Sequence, residues 1–385
     1  VISVTHVITR LTMGGSSENT VSQIEALDRV GYASTLVVGP QSEPAVIDAA
    51  RRRGCRVLQI PDLVRDVSPA RDVAATLALW QLFRRTRPAI VHTHTSKAGF
   101  VGRMAAWLAG VPVVIHQPHG HVFYGYWSRP RTAVFVGLER IAAHWTDTIV
   151  ALTTREVEEH LERGIGRAGQ FTAVPSGVPT QALREAAPPR EEARARLGLP
   201  PRAYVIAGVG RLVPVKGFDL LISALPEVVA RIPDAHVVLI GDGAARAALE
   251  AQAAALGVAD RLHVTGSVTD VIGRLAGADV LVAPSRNEGM GRVLVEAMAL
   301  GVPVIGTKVG GIVDVIVENE CGLLVPPEDA GPLAAALIEL GQDPTRRARL
   351  GSAARTRSDA FSTAVAATAM RVLYDRLMRS RRVKG

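Results

Sequence analysis

Short apolar runs alternate with helix-length amphipathic stretches along the whole chain, and they do so in two separate series. The first series has strand-like runs at residues 4–8, 35–38, 90–93, 113–116 and 148–152. Gly14-Gly15 makes its first turn, and residues 18–30 read as a helix. The second series has runs at 204–207, 237–240, 262–265, 280–283, 304–305 and 322–325. Runs apolar at every position need cover on both faces, which parallel strands obtain from crossover helices. Between the series, residues 178–202 hold Pro179, Pro188-Pro189 and Pro200-Pro201 around a short charged helix-like piece at 191–197, the mark of a domain edge. The expectation is an α/β chain of two doubly wound, Rossmann-like domains, residues 1–185 and 186–361, followed by an amphipathic terminal helix that ends basic. A length of 385 residues suits two cores better than one. Such sheets bind ligands at the carboxyl ends of their strands, so a cleft faced by those edges is the expected site.

Composition removes several classes. Aromatic residues make up 4% of the chain, too few for a base-stacking platform, and no nucleic-acid motif accompanies the basic residues. Cys55 and Cys321 lie far apart, with neither metal-ligand spacing nor a disulfide framework, which points to a reducing cytoplasm. No run of about 18 apolar residues is present to span a bilayer. The formal net charge of +8, with arginine clusters at 51–53, 84–87 and 376–382, favours anionic partners such as nucleotide diphosphates or an anionic membrane surface.

Two glutamates stand eight positions apart at Glu288 and Glu296, the first in a polar glycine-bearing loop and the second on the helix expected to follow, about two turns in. Gly289, Met290, Gly291, Arg292 and Val293 between them would start that helix, whose unpaired N–H groups attract anions such as phosphate. Carboxylates on either side suit sugar hydroxyls. Upstream, Gly208 and Gly210 follow the first strand of the second series and precede Arg211 and Lys216, a forked cation and a point charge for a diphosphate. Taken singly, a glycine turn, a helix-start lysine or a pair of solvated glutamates would be unremarkable; together they form one constellation.

The Glu288/Glu296 spacing, the Arg211–Lys216 loop and Gly14-Gly15 resemble the motifs of retaining glycosyltransferases of the GT-B fold, family 4, in the bacterial surface-polysaccharide-type subgroup. The resemblance runs from Gly14 to Gly322. It implies that the terminal helix, 362–385, crosses back to the first domain. It further implies that Gly14 and Gly15 approach the donor diphosphate, that the segment at Val268 reads the nucleotide base, and that Glu296 holds the ribose. In the same way it makes Glu288 and His119 contacts of the transferred sugar, and His94, Ser96, Lys97 and Tyr124 the acceptor side. Gly241-Asp242-Gly243 and Gly310-Gly311 read as turns, and His121 as a structural polar residue. No Asp-x-Asp pair is present, so Arg211, Lys216 and the helix start stand in for the cation that metal-dependent glycosyltransferases hold. His92 and His94 suggest a metal by spacing, but no third ligand is evident in sequence, and no metal or other cofactor is expected. The implied reaction moves a sugar from a UDP-linked donor to a sugar, glycolipid or other hydroxyl acceptor, in the cytoplasm or at the inner face of its membrane. The alternatives are a nucleotide-sugar epimerase of the same architecture, a phosphorylase with lysine-bound pyridoxal phosphate, and a non-enzymatic nucleotide-sugar or polyanion-binding protein.

Overall fold

A computed structural model of the chain describes residues 1–119 and 129–382. The chain divides into two compact units, residues 1–177 with 363–385, and residues 178–362. The first unit holds a seven-stranded parallel sheet of β1 (Ile2–Ile8), β2 (Tyr32–Val38), β3 (Arg56–Gln59), β4 (Ile90–His94), β5 (Val113–Gln117), β6 (Thr148–Ala151) and β7 (Phe171–Ala173), in the order β3-β2-β1-β4-β5-β6-β7. The second holds a six-stranded parallel sheet of β8 (Tyr204–Val209), β9 (Ala235–Ile240), β10 (Leu262–Val264), β11 (Val280–Ala283), β12 (Val304–Thr307) and β13 (Gly322–Val325), in the order β10-β9-β8-β11-β12-β13. This is the doubly wound architecture expected from the apolar runs. The central strands β4, β5, β9 and β11 are buried at every position, as helices on both sheet faces require.

Sequence order reverses between β1 and β4 in the first sheet and between β8 and β11 in the second. Chain leaves the two strands of each pair in opposite directions there, which opens a crevice at their carboxyl ends. In the first unit those ends lead into Gly14-Gly15 and Ser96. In the second they lead into Gly210-Arg211 and the Ser285–Glu288 loop.

The boundary between units falls at 177/178 rather than near 185. Val178 is bridged to Ser362 and its N–H bonds to the Phe361 carbonyl. The helix Thr180–Ala186 belongs to the second unit, where Arg184 donates to the carbonyls of Ala299 and Arg355 and pairs with Asp359. The proline-rich stretch is thus the skin of the second unit. β3 and β7 escaped the periodicity reading because they are edge strands of four and three residues with no fully buried position.

The last helix, Thr363–Arg382, closes the first unit. Ala366, Met370, Leu373 and Tyr374 pack against Val4, Leu27, Ile90, Val113, Ile115 and Val174. Each large side chain so buried is worth about 1.5–3 kcal/mol. Tyr32 donates to Asp375 at 2.6 Å, and Arg381 pairs with Asp147. Gly177 admits the helix, since a Cβ there would lie 2.9 Å from the Thr363 Cα. Cys55 and Cys321 are buried free thiols, one in each unit.

Candidate active site

In the second unit the site is a set of loops locked together beneath the carboxyl ends of β8 and β11. Gly210 donates to the Ile240 carbonyl and Leu212 to that of Asp242, at 3.0 and 2.9 Å. A Cβ on Gly241 would meet the Gly210 carbonyl oxygen at 2.0 Å, and one on Gly243 would meet that of Leu212 at 2.4 Å. The Gly241-Asp242-Gly243 turn is therefore the bed on which the Arg211 loop lies. Arg211 itself is exposed and forms no ion pair among the described residues. Past it, a 3-10 turn, Pro214–Lys216, brings Lys216 back toward β11. Gly217, in the left-handed region at φ 66°, sits where a Cβ would strike the Pro284 carbonyl oxygen at 2.0 Å.

Lys216 Nζ donates to Glu288 Oε2, and Ser285 Oγ reaches the same oxygen at 3.4 Å. The ammonium and carboxylate are mostly buried, so each supplies charge the other would otherwise lack. Gly310 and Gly311 hold the Glu288 backbone: Gly311 N donates to the Glu288 carbonyl at 3.0 Å, and a Cβ on Gly310 would lie 2.1 Å from it.

Arg286 fastens the two loops, a role that nothing in its sequence surroundings signals. Its guanidinium forks onto Asp219 at 2.6 and 2.7 Å, and also donates to Glu328 at 2.7 Å and the Pro214 carbonyl at 2.6 Å. Its backbone N–H donates to the Val215 carbonyl at 2.8 Å. The hydrogen bonds from Arg286 hold the Asp219 carboxyl below the usual carboxylate range, against the opposing effect of burial. This clamp sets the distance between Lys216 and Glu288 before any ligand arrives.

The following helix runs Arg292–Ala299, with Gly291 in the left-handed region at φ 77° as its N-cap and no side-chain cap. It starts later than the sequence suggested, so Glu296 lies one turn in rather than two. Gly289 and Met290 belong to the loop. Met290 is buried, which leaves only its backbone for a ligand. Arg292 and Glu296 approach each other at 3.9 Å along the helix. Val268 lies in the loop after β10, next to Gly266, which is bridged to Gly241.

In the first unit Gly14, at φ 149°, caps the helix Gly15–Asp28. Ser17 is buried and accepts from the Thr12 N–H at 3.0 Å, so it braces the glycine turn. His119, at φ 58°, lies after β5 within reach of that helix: Thr20 Oγ1 is 3.4 Å from its Nε2 and Asn19 Nδ2 is 3.5 Å from its Nδ1. His94 is fully buried behind His119, so it reaches a ligand only through that ring. Ser96 opens the helix Ser96–Ala109. Lys97 is held by Asp72 and by the Asp66 carbonyl. His121 and Tyr124 lie outside the described residues.

The third histidine near His92 and His94 is His6, from β1. Its ring comes beside theirs because His6 is the register partner of His92 in the parallel ladder, something linear spacing cannot show. One nitrogen from each of the three rings falls within 4.8 Å of the others, a spacing a metal could use.

Residues 14–177 match the family model described as a glycosyl transferase 4-like domain, and residues 189–357 match that of glycosyl transferases group 1. A UDP-Gal:α-D-GlcNAc-diphosphoundecaprenol α-1,3-galactosyltransferase of Escherichia coli is 30% identical over 75% of each chain. A GDP-mannose-dependent α-(1-6)-phosphatidylinositol monomannoside mannosyltransferase of Mycobacterium tuberculosis is 34% identical over 80% of each. The chain belongs to the family-4 glycosyltransferases. The solved structure of HepE from Anabaena, in complex with UDP, matches with a TM-score of 0.83 at 20% identity, over 97% of this chain and 100% of that one. The glycosyltransferase therefore has the GT-B fold, with two Rossmann-like units. Its family works from nucleotide-sugar donors, and the elements just described occupy the carboxyl-edge positions where such ligands bind.

Proposed function

We propose that this glycosyltransferase moves a sugar from a UDP-linked donor to a hydroxyl of a sugar or glycolipid acceptor, with retention of configuration and without a metal ion. The observation that carries the reading is the Lys216–Glu288 pair, set by Arg286 at the reversal point of the second sheet beside an exposed Arg211. A cation and a carboxylate held side by side match a ligand with a phosphate at one end and hydroxyls at the other.

In this reading Lys216 and Arg211 take up the negative charge that grows on the leaving diphosphate. The backbone N–H groups around Gly289, Gly291, Arg292 and Val293 add their dipoles, as do Gly14 and Gly15. Glu288, released from full pairing as Lys216 turns to phosphate, accepts from sugar hydroxyls. Glu296 accepts from the ribose diol, the loop at Val268 lies along the base, and His119 positions the sugar. The bond from the anomeric carbon to the phosphate oxygen breaks, and the acceptor oxygen bonds that carbon on the same face. The acceptor's proton passes to the departing phosphate oxygen. Ser96, Lys97 and Tyr124 form the acceptor side.

A lipid-linked acceptor at the inner face of the cytoplasmic membrane is supported by the net charge of +8 and by the lipid-linked substrates in the names of the two relatives. No helix among the described residues is long and apolar enough to cross a membrane. UDP rather than GDP is supported by the galactosyltransferase and HepE, and opposed by the mannosyltransferase.

The deciding experiment compares wild type, Lys216→Ala and Glu288→Gln in donor turnover with EDTA present. Losing one such transition-state partner costs roughly 10²–10³-fold in kcat. Wild-type turnover that vanishes in EDTA would refute metal independence, and full activity of Lys216→Ala would refute the diphosphate assignment.

A further inference from the structure

One face of the first sheet is covered by three helices, Pro69–Thr86, Ser96–Ala109 and Arg129–Ala143. The first two share a core with Val7, Val91 and Val114 of the sheet, and the third packs through Ala143 on Ile149. The middle helix is tied to its neighbours on both sides. Lys97 pairs with Asp72 of the first helix, and the buried Arg103 pairs with Glu139 of the third. Trp145, just past the third helix, stacks on Trp107 of the middle one with ring centroids 5.8 Å apart. The three helices therefore form one layer.

Charge is segregated on this layer. Its helices carry eight lysines and arginines against two acids, Asp72 and Glu139, and both acids are the ones already paired within it. Arg71, Arg84, Arg85 and Arg140 are exposed, and none of them meets a carboxylate among the described residues. The helices on the opposite sheet face, Gly15–Asp28, Pro44–Arg52 and Thr363–Arg382, intersperse five acids with their arginines: Glu18, Glu25, Asp28, Asp48 and Asp375.

The same layer shows apolar side chains to solvent. Val73, Leu77, Trp107, Leu108, Val134 and Ile141 are each at least half exposed. Val73, Leu77 and Arg84 stand at i, i+4 and i+11, one stripe of the first helix, and Val134 and Ile141 stand one heptad apart on the third. Apolar side chains with an indole, set among cations and with no unpaired acid, are the composition of a helical surface that lies in the boundary of an anionic bilayer. A polyanion alone would leave the exposed leucine, valine and isoleucine side chains without a purpose.

We propose that the outer face of this layer seats the enzyme on an anionic phospholipid bilayer, its arginines among the headgroups and Leu77, Trp107 and Val134 at the upper acyl carbons. The middle helix opens with Ser96 and Lys97 at the carboxyl end of β4, so the acceptor side stands at the rim of the face. That last placement rests on the acceptor reading given above; the face itself does not.

The test is flotation of the full chain with phosphatidylcholine vesicles, with and without phosphatidylglycerol, in the absence of donor and acceptor. Wild type should float with the anionic vesicles alone. Arg84→Gln with Arg85→Gln should weaken that binding roughly thirtyfold, about fivefold for each charge. Leu77→Ser with Trp107→Ser should weaken it about tenfold or more. Arg51→Gln with Arg52→Gln, on the opposite layer, should leave it within about twofold. All these side chains are exposed, so circular dichroism should match wild type throughout. No binding to the anionic vesicles overturns the proposal. So does binding that the apolar pair leaves unchanged, which marks a plain polyanion surface, or binding that the opposite-layer pair weakens equally, which marks net charge without a face. A dimer in solution that the apolar pair splits would give the face to a second copy and overturn it as well. Vesicles hold no acceptor, so vesicle binding by a protein that transfers no sugar would refute the proposed reaction and leave this face standing.

Discussion

Acidification should unfold the first unit at a pH where most of its carboxylates are still ionised. Four fully buried imidazoles lie in its sheet, at His6, His92, His94 and His116, and burial lowers the protonation of all four. For His116 the nearby Arg103 guanidinium adds to the effect. A group whose folded pKa is depressed stabilises the fold fully above its unfolded value and loses that contribution as pH falls toward the folded one. The window therefore opens near pH 6.5, the unfolded value, and for His6 extends down to about 3. At pH 5.5 a ring that stays uncharged in the fold has cost about 1 kcal/mol relative to pH 8, so the four together cost several kcal/mol, a large share of a typical domain's stability of about 5–15 kcal/mol.

The assay is urea unfolding followed by tryptophan fluorescence from pH 8 to 5. Trp80, Trp107, Trp127 and Trp145 are the four tryptophans of the chain, and all lie in the first unit's sequence, so the signal reports on that unit. Stability at pH 5.5 within about 1 kcal/mol of that at pH 8 would refute the reasoning that the four buried imidazoles stay uncharged. His92→Asn should flatten the pH slope by about a quarter.

Three further outcomes follow from the packing. Arg103 is fully buried and donates from Nη2 to both carboxylate oxygens of Glu139, at 2.7 and 2.9 Å, so Arg103→Met should cost about 3–5 kcal/mol by leaving a carboxylate unpaired, and adding Glu139→Leu should recover most of it in chemical denaturation. Gly310→Ala would put a Cβ 2.1 Å from the Glu288 carbonyl oxygen, and should lower kcat by about tenfold or more while circular dichroism stays unchanged. Arg286→Ala removes the clamp between the Lys216 and Glu288 loops, and should raise donor KM and lower kcat together without loss of fold, read in steady-state kinetics.

The two sheets were legible because their central strands are buried on both faces and so carry short apolar runs. Edge strands β3 and β7 were not, since half-exposed residues leave no such run. Lys216 and Glu288 could be picked out because each stands in a glycine-bearing loop beside other charge. The clamp residues Arg286, Asp219 and Glu328 could not. Their contacts span 42 and 67 residues of sequence, and an arginine in a polar loop looks like solvated surface. His6 was hidden for the same reason, because strand register pairs it with His92 across 86 residues. The late start of the Arg292–Ala299 helix depends on the left-handed turn at Gly291, which a run of two glycines and a methionine does not position by itself.

The most direct test of the central claim is a ¹H NMR time course of the protein with UDP-, GDP-, ADP- and dTDP-linked α-sugars in EDTA, following the anomeric protons. The account predicts release of UDP from one UDP-sugar, with the α-anomer of the freed or transferred sugar appearing first. A β-anomer appearing first would contradict retention, and a sugar changed while still joined to its nucleotide would indicate an epimerase. No nucleotide released from any donor, with or without added acceptor, would contradict the assignment of Lys216, Arg211 and Glu288 to a sugar diphosphate.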